Sequence, residues 1–224
     1  TLFMLPYPLI PVSVATAMFP QISRALADHD LDDARRQLSS ALRNVGVLMF
    51  FFAAAFAVIP APITLALLPS VSVDEALLIA GPLVGLGIGL PVTSAYLIIQ
   101  RTFFAFEDGK HPFVFAFAAS GVQVITVVAA TFLLPPQYWV TALGASVSVG
   151  NILCFPLLLW MLRRRFGNRI DGMRLARSYG KAIAAAVAAA AVGIVLLDPV
   201  YALVGADFGA DAVNWLQAVG ICVV

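Results

Sequence analysis

The polar side chains that could do chemistry are few, and most of them lie in one largely apolar run, residues 81–112. They form a stripe of hydroxyl and amide groups followed by an arginine and an acid: Thr93, Ser94, Tyr96, Gln100, Arg101 and Asp108. Neutral groups of this kind can bind a polar ligand but supply no acid, base or activated nucleophile. Thr93, Ser94 and Gln100 are therefore candidates for the wall of a mildly polar cavity, and Arg101 and Asp108 for a gate or anchor at its end.

Arg101 allows two interpretations. Its position at the end of the apolar run, beside Asp108, favours an orienting ion pair or a headgroup anchor, and a direct substrate contact is the alternative. Ser13 and Thr16 are a second polar pair, three residues apart on nearly the same helix face. Their hydroxyls either donate to carbonyls of their own helix or belong to the same cavity wall.

Catalysis and metal binding find no support in these residues. The apolar runs contain no paired carboxylates and no Ser/His pair, and His29 and His111 stand alone in loops. Cys154 and Cys222 lie in apolar runs, where cysteine is usually a small buried hydrophobe. A net charge near +1 argues against nucleic acid as a partner. The sequence therefore predicts no enzyme, no catalytic residue, no metal and no cofactor.

The composition places the chain in lipid. It is 62% hydrophobic and 11% charged, whereas soluble domains carry about 25% charged residues. Apolar runs of about 20 residues predict membrane-spanning helices. We predict seven, at residues 2–19, 45–69, 77–100, 113–134, 140–162, 182–197 and from about 213 onward. The fold class is thus an all-α polytopic membrane protein, which we interpret as an internal piece of a longer chain.

Prolines and small residues mark where these helices bend or touch. Pro6, Pro8 and Pro11 should kink or unwind the first span, and Pro91 is a further kink candidate. Glycines four residues apart in the third span, and a run of small residues in the fifth, predict close helix packing. They are Gly81, Gly85 and Gly89, and Gly144, Ser146, Ser148 and Gly150.

Residues 29–44 differ in kind. Asp30 is a predicted N-cap, and apolar residues then recur at helical spacing: Leu31, Ala34, Leu38, Ala41, Leu42 and Val45. Arg35, Arg36 and Arg43 lie off this stripe. We interpret the segment as an amphipathic helix at the membrane surface that leads into the second span.

Charge is segregated between the two ends of the predicted spans. All thirteen Lys and Arg residues fall in the segments 20–44, 101–112 and 163–181. The segments between them carry only acids, namely Asp74, Glu75, Asp198, Asp207 and Asp211. The positive-inside rule makes the basic segments cytoplasmic. Residues 163–181 should also contact anionic membrane lipids.

Two stretches resemble the MviN/MurJ lipid II flippase family. Residues 5–23, LPYPLIPVSVATAMFPQIS, are similar to that family's "lP…v.t.lfP.ls" pattern. Residues 85–112 resemble its "G…R.fyA..D.ktP" segment, matched by Arg101, Phe103, Phe104, Ala105, Asp108, Lys110 and Pro112. The amphipathic helix also stands where that family has one, and the similarity runs over about residues 2–165.

The resemblance implies a bacterial inner-membrane protein of the multidrug/oligosaccharidyl-lipid/polysaccharide exporter superfamily, with two six-helix lobes and extra C-terminal helices. Residues 1–165 would be the second lobe of this duplicated transporter fold, including the amphipathic cytoplasmic helix at about 29–44. Residues 166–224 would be extra helices, the last one truncated. The family often has an arginine and an acid where this chain has Thr1 and Met4. Anion-binding arginines are then expected in the missing first lobe, or the diphosphate is bound differently.

The implied function is movement of a lipid-linked peptidoglycan precursor to the outer leaflet by alternating access, in support of cell-wall synthesis. The implied partners are that lipid-linked oligosaccharide, the N-terminal lobe and cell-wall synthesis or division proteins. Three alternatives stay open at this point. They are an exporter of another lipid-linked oligosaccharide, a drug/cation antiporter of the same superfamily, and a non-transporting scaffold for cell-wall enzymes.

Overall fold

The structure, a computed structural model, describes residues 6–67, 72–167 and 172–204. In these ranges the structure consists of helices joined by short turns, which confirms the predicted fold class. The helices are α1 (Ser13–Ala27), α2 (Leu31–Val58), α3 (Pro60–Leu67), α4 (Val73–Ala105), α5 (Lys110–Leu133), α6 (Trp139–Arg165) and α7 (Gly172–Val204). Thr1, Met4 and the predicted seventh span lie outside the described residues.

Five segments of the described chain are long and apolar enough to cross a membrane. They are Pro8–Ala27, Leu31–Val58, Leu78–Ala105, Lys110–Leu133 and Trp139–Arg165. They correspond to the first five predicted spans, and the predicted sixth span lies within α7. The chain is therefore a multi-pass membrane protein. Of the predicted loop at residues 163–181, residues 163–165 instead form the last turn of α6 and residues 172–181 the first turns of α7.

The first span departs from regular α-helix where its prolines fall. Residues Pro8–Val12 form a π-helical turn with Pro11 inside it, and α1 continues from there. Proline lacks a backbone N–H and its ring clashes with the preceding turn, so Pro8 and Pro11 explain why the helix widens to a π-helical turn here. Pro91 lies inside the continuous helix α4, and its role as a kink stays a prediction.

α2 is one unbroken helix rather than the predicted surface helix and separate span. Asp30 caps it as predicted, since its carboxylate accepts the Asp33 N–H at 2.8 Å. The helix ends at Val58, just before Pro60, instead of continuing to residue 69. Five residues of the predicted stripe are buried in the helix bundle, namely Ala34, Leu38, Ala41, Leu42 and Val45. The stripe therefore packs against protein, and the position of this segment at the membrane surface stays a prediction.

α4 is the central helix of the described bundle. Within its span, 61% of residues are buried, against 11% in the span formed by α5. It packs against α1, α2, α3 and α6, while α5 packs mainly on α6 and α7 on α2. The α2–α7 contact is closed by Tyr179, whose hydroxyl donates to the Leu42 carbonyl at 3.1 Å. The middle of α4 is thus inside the protein, where Ser94 and Thr102 are fully buried, while α5 is largely exposed.

Glycines bring α4 and α6 into backbone contact, as their spacing predicts. A Cβ added at Gly85 would lie 2.8 Å from the backbone nitrogen of Ala145, and one at Gly144 would lie 2.8 Å from the Pro82 carbonyl oxygen. Cβ atoms at Gly81 and Gly89 would collide with Thr141 and Ser148. We call this contact the glycine seam, defined by Gly81, Gly85, Gly89, Gly144, Ser146 and Ser148. Gly150 instead faces α5, where its Cβ would lie 2.7 Å from the Ala119 carbonyl oxygen.

Candidate functional site

Polar groups on α4 and α6 meet along the glycine seam. The Ser148 hydroxyl donates to the Gly85 carbonyl at 2.5 Å, and one turn further on the Asn151 amide donates to the Thr93 hydroxyl at 3.0 Å. Thr93 itself donates to the Gly89 carbonyl at 3.0 Å. The buried Ser94 hydroxyl donates to the Leu90 carbonyl at 2.8 Å. Two of these bonds, from Ser148 and Asn151, run from α6 to α4, so this cluster joins the two helices while leaving Thr93 half-buried.

The remaining predicted cavity residues do not meet this cluster. Ser13 and Thr16 lie exposed on α1, and Thr16 donates to the Val12 carbonyl at 2.8 Å, as the first of its two interpretations predicts. Gln100 is half-buried on α4. The exposed face of α1 that carries Ser13 and Thr16 continues through Gln21 and Arg24, which were not predicted as cavity residues. A polar face on a membrane span favours contact with protein or a water-filled cavity over contact with lipid.

Asp108 is the best-anchored of the predicted gate residues, but its partner is not Arg101. Its side chain is 4% exposed and makes a salt bridge with Arg165 at the end of α6. The same carboxylate oxygen is 2.6 Å from Nδ1 of His111, and the other accepts the Lys110 N–H at 3.1 Å. The predicted Arg101–Asp108 ion pair is therefore wrong. Asp108 joins the α4–α5 turn to α6, fifty-seven residues further along the chain.

The surroundings of Asp108 set its charge. Burial would raise the pKa of this carboxyl group, but hydrogen bonds from the side chains of Arg165 and His111, together with the His111 backbone N–H, outweigh burial and lower the pKa to about 2. Asp108 is therefore ionised at neutral pH. The His111 ring also stacks on Phe103, with centroids 5.3 Å apart, which holds the turn from its other side.

Sequence reasoning missed Arg165 because it stands in a run of three arginines that looks like a uniform charged end. Arg163 and Arg164 are exposed, and Arg164 lies over the Trp160 ring with 3.8 Å to its centroid. Of the three, Arg165 alone bonds Asp108 in the described structure. No local pattern in the sequence marks Arg165 as the partner, because the pair joins positions fifty-seven residues apart.

These groups together can bind and orient a ligand. Hydroxyls, an amide and exposed guanidinium groups offer hydrogen bonds and positive charge. Among the described residues, no group of three or more His, Cys, Asp or Glu side chains is placed to hold a metal ion. The fold and site define a multi-pass helical membrane protein with a tightly packed helical core and a polar face on one outer helix.

The comparisons with known proteins agree on one family. Residues 1–205 match the family described as lipid II flippase MurJ. The chain is 28% identical over 200 residues to the "Probable lipid II flippase MurJ" of Rhizobium meliloti (strain 1021), covering 85% of this chain and 35% of that protein. It resembles the solved structure "Lipid II flippase MurJ, inward closed conformation" with a TM-score of 0.70 and 20% identity, over 88% of this chain and 39% of that one.

The chain belongs to the lipid II flippase MurJ family, since the family match covers most of its length. It spans little more than a third of the length of the two relatives it resembles. The solved structure shares the fold of these helices, which supports the predicted transporter architecture.

Proposed function

We propose that this chain is part of a flippase that moves lipid II, the lipid-linked peptidoglycan precursor, from the cytoplasmic to the outer leaflet by alternating access. The observation that carries the proposal is the family match over residues 1–205. Residues 1–165 would form the second lobe and residues 166–224 the extra helices. The N-terminal lobe of the same protein would face α1 and complete the substrate passage.

The packing of the described helices suits one rigid half of such a transporter. The glycine seam and the Asp108–Arg165 pair join α4, α5 and α6 through backbone contacts and an ion pair whose carboxylate is buried. α1 lies at the edge of this unit, with a π-helical turn near its start and an exposed polar face carrying Ser13 and Thr16. In our proposal this face of α1 lines the cavity, and Pro6, Pro8 and Pro11 form the hinge of a gate. Thr93 and Gln100 of α4 lie further inside the protein than this face.

The segregated charges support an orientation in the bacterial inner membrane. Because successive spans alternate in direction, α1, α4 and α6 end on the same side, and the positive charges lie in the segments that surround these three helix ends. We propose that these ends are cytoplasmic. The arginine-rich end of α6 would then contact anionic lipids of the inner leaflet.

The function is tested in cells by depleting the full-length protein and measuring how much lipid II an external reagent reaches. The proposal expects outer-leaflet lipid II to fall, with the precursor accumulating inside. Unchanged accessibility would contradict it. Selective loss of another surface polysaccharide would indicate a different lipid-linked oligosaccharide, and mislocalised cell-wall enzymes with normal lipid II transfer would indicate a scaffold.

A further inference from the structure

A groove of about 700 Å³ opens between the ends of α1 and α4. Its lining is mostly apolar and includes three phenylalanine rings, those of Phe19 on α1 and of Phe104 and Phe106 at the end of α4. Phe104 is 42% exposed, so its ring is accessible from outside the protein. Phe106 is fixed by an edge-to-face contact with Phe166, with ring centroids 5.2 Å apart. The volume and the apolar lining are typical of small-molecule sites.

Three polar side chains share this lining: Ser23 of α1, His29 in the α1–α2 turn and Glu107 in the α4–α5 turn. Glu107 is exposed, and among the described residues its carboxylate makes no salt bridge. Neither Arg24 nor Lys110, the arginine and lysine nearest in sequence to the lining, pairs with it. The groove therefore combines aromatic faces with one uncompensated negative charge.

His29 and Glu107 both have a backbone conformation that side chains disfavour. Their φ angles are 59° and 56°, and in the part of the chain that the structure describes they are the two non-glycine residues with positive φ. Each ends a helix at the position where glycine is usual, because a Cβ atom is crowded in the left-handed region. Glycine would form either turn without this cost. Strained residues that line the same groove favour a role in binding over a role in the fold.

Backbone hydrogen bonds fix both of these turns. The Asp30 N–H donates to the Ala25 carbonyl at 2.8 Å, and the Asp108 N–H donates to the Phe103 carbonyl at 2.9 Å. Asp108 is also the buried end of the ion pair with Arg165, so the turn next to the groove is held by side chains as well. The groove is thus formed before a ligand binds, which lowers the entropic cost of binding.

We propose that this groove binds a small organic cation with an apolar body, of the arylalkylammonium class. The ammonium group lies between the Glu107 carboxylate and the face of Phe104, because carboxylates accept its N–H groups and aromatic faces attract its charge. The Ser23 hydroxyl and a neutral His29 ring can accept its remaining N–H donors. Glu107 would repel an anion. This site goes beyond the proposed function, because it needs no lipid-linked substrate.

The test measures binding of biphenylmethylammonium and of its neutral isostere biphenylmethanol to the full-length protein in zwitterionic nanodiscs, by ligand-observed NMR. The cation should bind more tightly than the alcohol. We expect E107Q to weaken cation binding about fivefold, the effect of losing an exposed ion pair, and to leave alcohol binding unchanged. F104A should weaken both ligands, because they share the apolar body. D32N is the matched control, because Asp32 is an exposed acid near the same turn that is paired with Arg35 and lies outside the groove lining.

A glycine variant separates ligand binding from a structural role. E107G relieves the left-handed backbone, so its unfolding temperature should equal or exceed that of the wild type while its cation affinity falls as in E107Q. The site is overturned if either variant binds the cation as the wild type does, if D32N loses as much, or if the alcohol binds as tightly as the cation. A lower unfolding temperature for E107G, unchanged binding by F104A, or a wild type that binds neither ligand also overturns it. All of these results leave the proposed function standing, since none involves lipid II.

Discussion

At the residue scale, Asp108 shows how one buried charge can position three helices. Its carboxylate is almost fully enclosed and is shared by Arg165, His111 and a backbone N–H. Removing one member of a buried pair leaves the other without compensation, which usually costs more than the pair contributed. Arg165 is half-exposed, so water can replace part of the lost interaction.

Asp108→Asn should therefore destabilise the full-length protein by about 1–3 kcal/mol, because the neutral amide cannot offset the Arg165 charge. Thermal unfolding in detergent measures this. Asp32→Asn is the matched control: Asp32 is 64% exposed in its pair with Arg35, and surface pairs contribute about 0–1 kcal/mol. Equal unfolding temperatures for Asp108→Asn and the wild type would show that the ion pair does not hold the turn.

The same residue predicts a pH dependence. The pKa of Asp108 is lowered from 3.8 to about 2 by folding, so its stabilising effect is complete above pH 3.8 and is lost as the pH falls toward 2. The stability difference between wild type and Asp108→Asn should thus stay constant from neutral pH down to about pH 5 and shrink only below about pH 4. Unfolding scans at several pH values check this, and a difference that fades already near pH 6 would contradict it.

At the element scale, the glycine seam sets how closely α4 and α6 approach. Gly85 faces backbone atoms of Ala145, which cannot rotate away, while Gly121 of α5 has no atom within 4 Å of its virtual Cβ. Both glycines lie inside helices, but only Gly85 is in close contact with another helix. Replacing each by alanine therefore separates the cost of a steric clash from the gain in helix propensity.

Gly85→Ala should destabilise the protein by about 1–3 kcal/mol, because the added methyl group pushes the two helices apart. Gly121→Ala should be neutral or stabilising, since alanine is favoured over glycine within a helix by about 1 kcal/mol. Unfolding temperature and yield of folded protein measure both variants. If the two substitutions have the same effect, the seam is looser than its geometry indicates.

The proline-containing turn is predicted to serve motion rather than insertion. Replacing Pro6, Pro8 and Pro11 by alanine should restore a regular helix over Pro8–Val12, leaving the protein inserted but unable to support transport. Growth complementation together with membrane fractionation measures this. Pro156→Ala is the control, since Pro156 lies exposed within α6. Full complementation by the triple variant would remove the gate role.

Much of this element-level picture was predictable from sequence, for identifiable reasons. Apolar length predicts the spans, and the spacing of small residues predicts which faces of the third and fifth spans pack closely, because both are local properties; that these two faces meet each other comes from the structure. The Asp108–Arg165 pair depends on two distant turns meeting, which no local pattern encodes. The sequence predicted a surface helix and a separate span where the structure has the single helix α2. A change of polarity along the chain changes the surroundings of a helix but does not interrupt its hydrogen bonds. Pro60 lacks a backbone N–H and does interrupt them, so α2 ends just before it.

At the scale of the whole molecule, the charge pattern predicts an absolute orientation. In a background without Cys154 and Cys222, Asp28→Cys should resist a membrane-impermeant thiol reagent applied outside intact cells, and Pro136→Cys should react. Both positions are exposed, at opposite ends of the described helices. Permeabilised cells, in which both should react, are the control. The reverse labelling pattern would invert the proposed orientation and contradict the proposed direction of transport.

The length of α2 bears on how much of the helix bundle lies outside the hydrocarbon layer of the membrane. Its 28 residues extend about 42 Å, whereas a bilayer's hydrocarbon layer is about 30 Å thick. A helix of this length that stands upright in the bilayer leaves about eight residues outside the hydrocarbon, and the charged first turns of α2 are the part best suited to water. Yet Ala34 is 0% exposed and Leu38 is 3% exposed in those turns. The packed helical core therefore extends a short way into water at this end of α2. There its packing is stabilised by the hydrophobic effect, and we expect these turns to unfold first in denaturant.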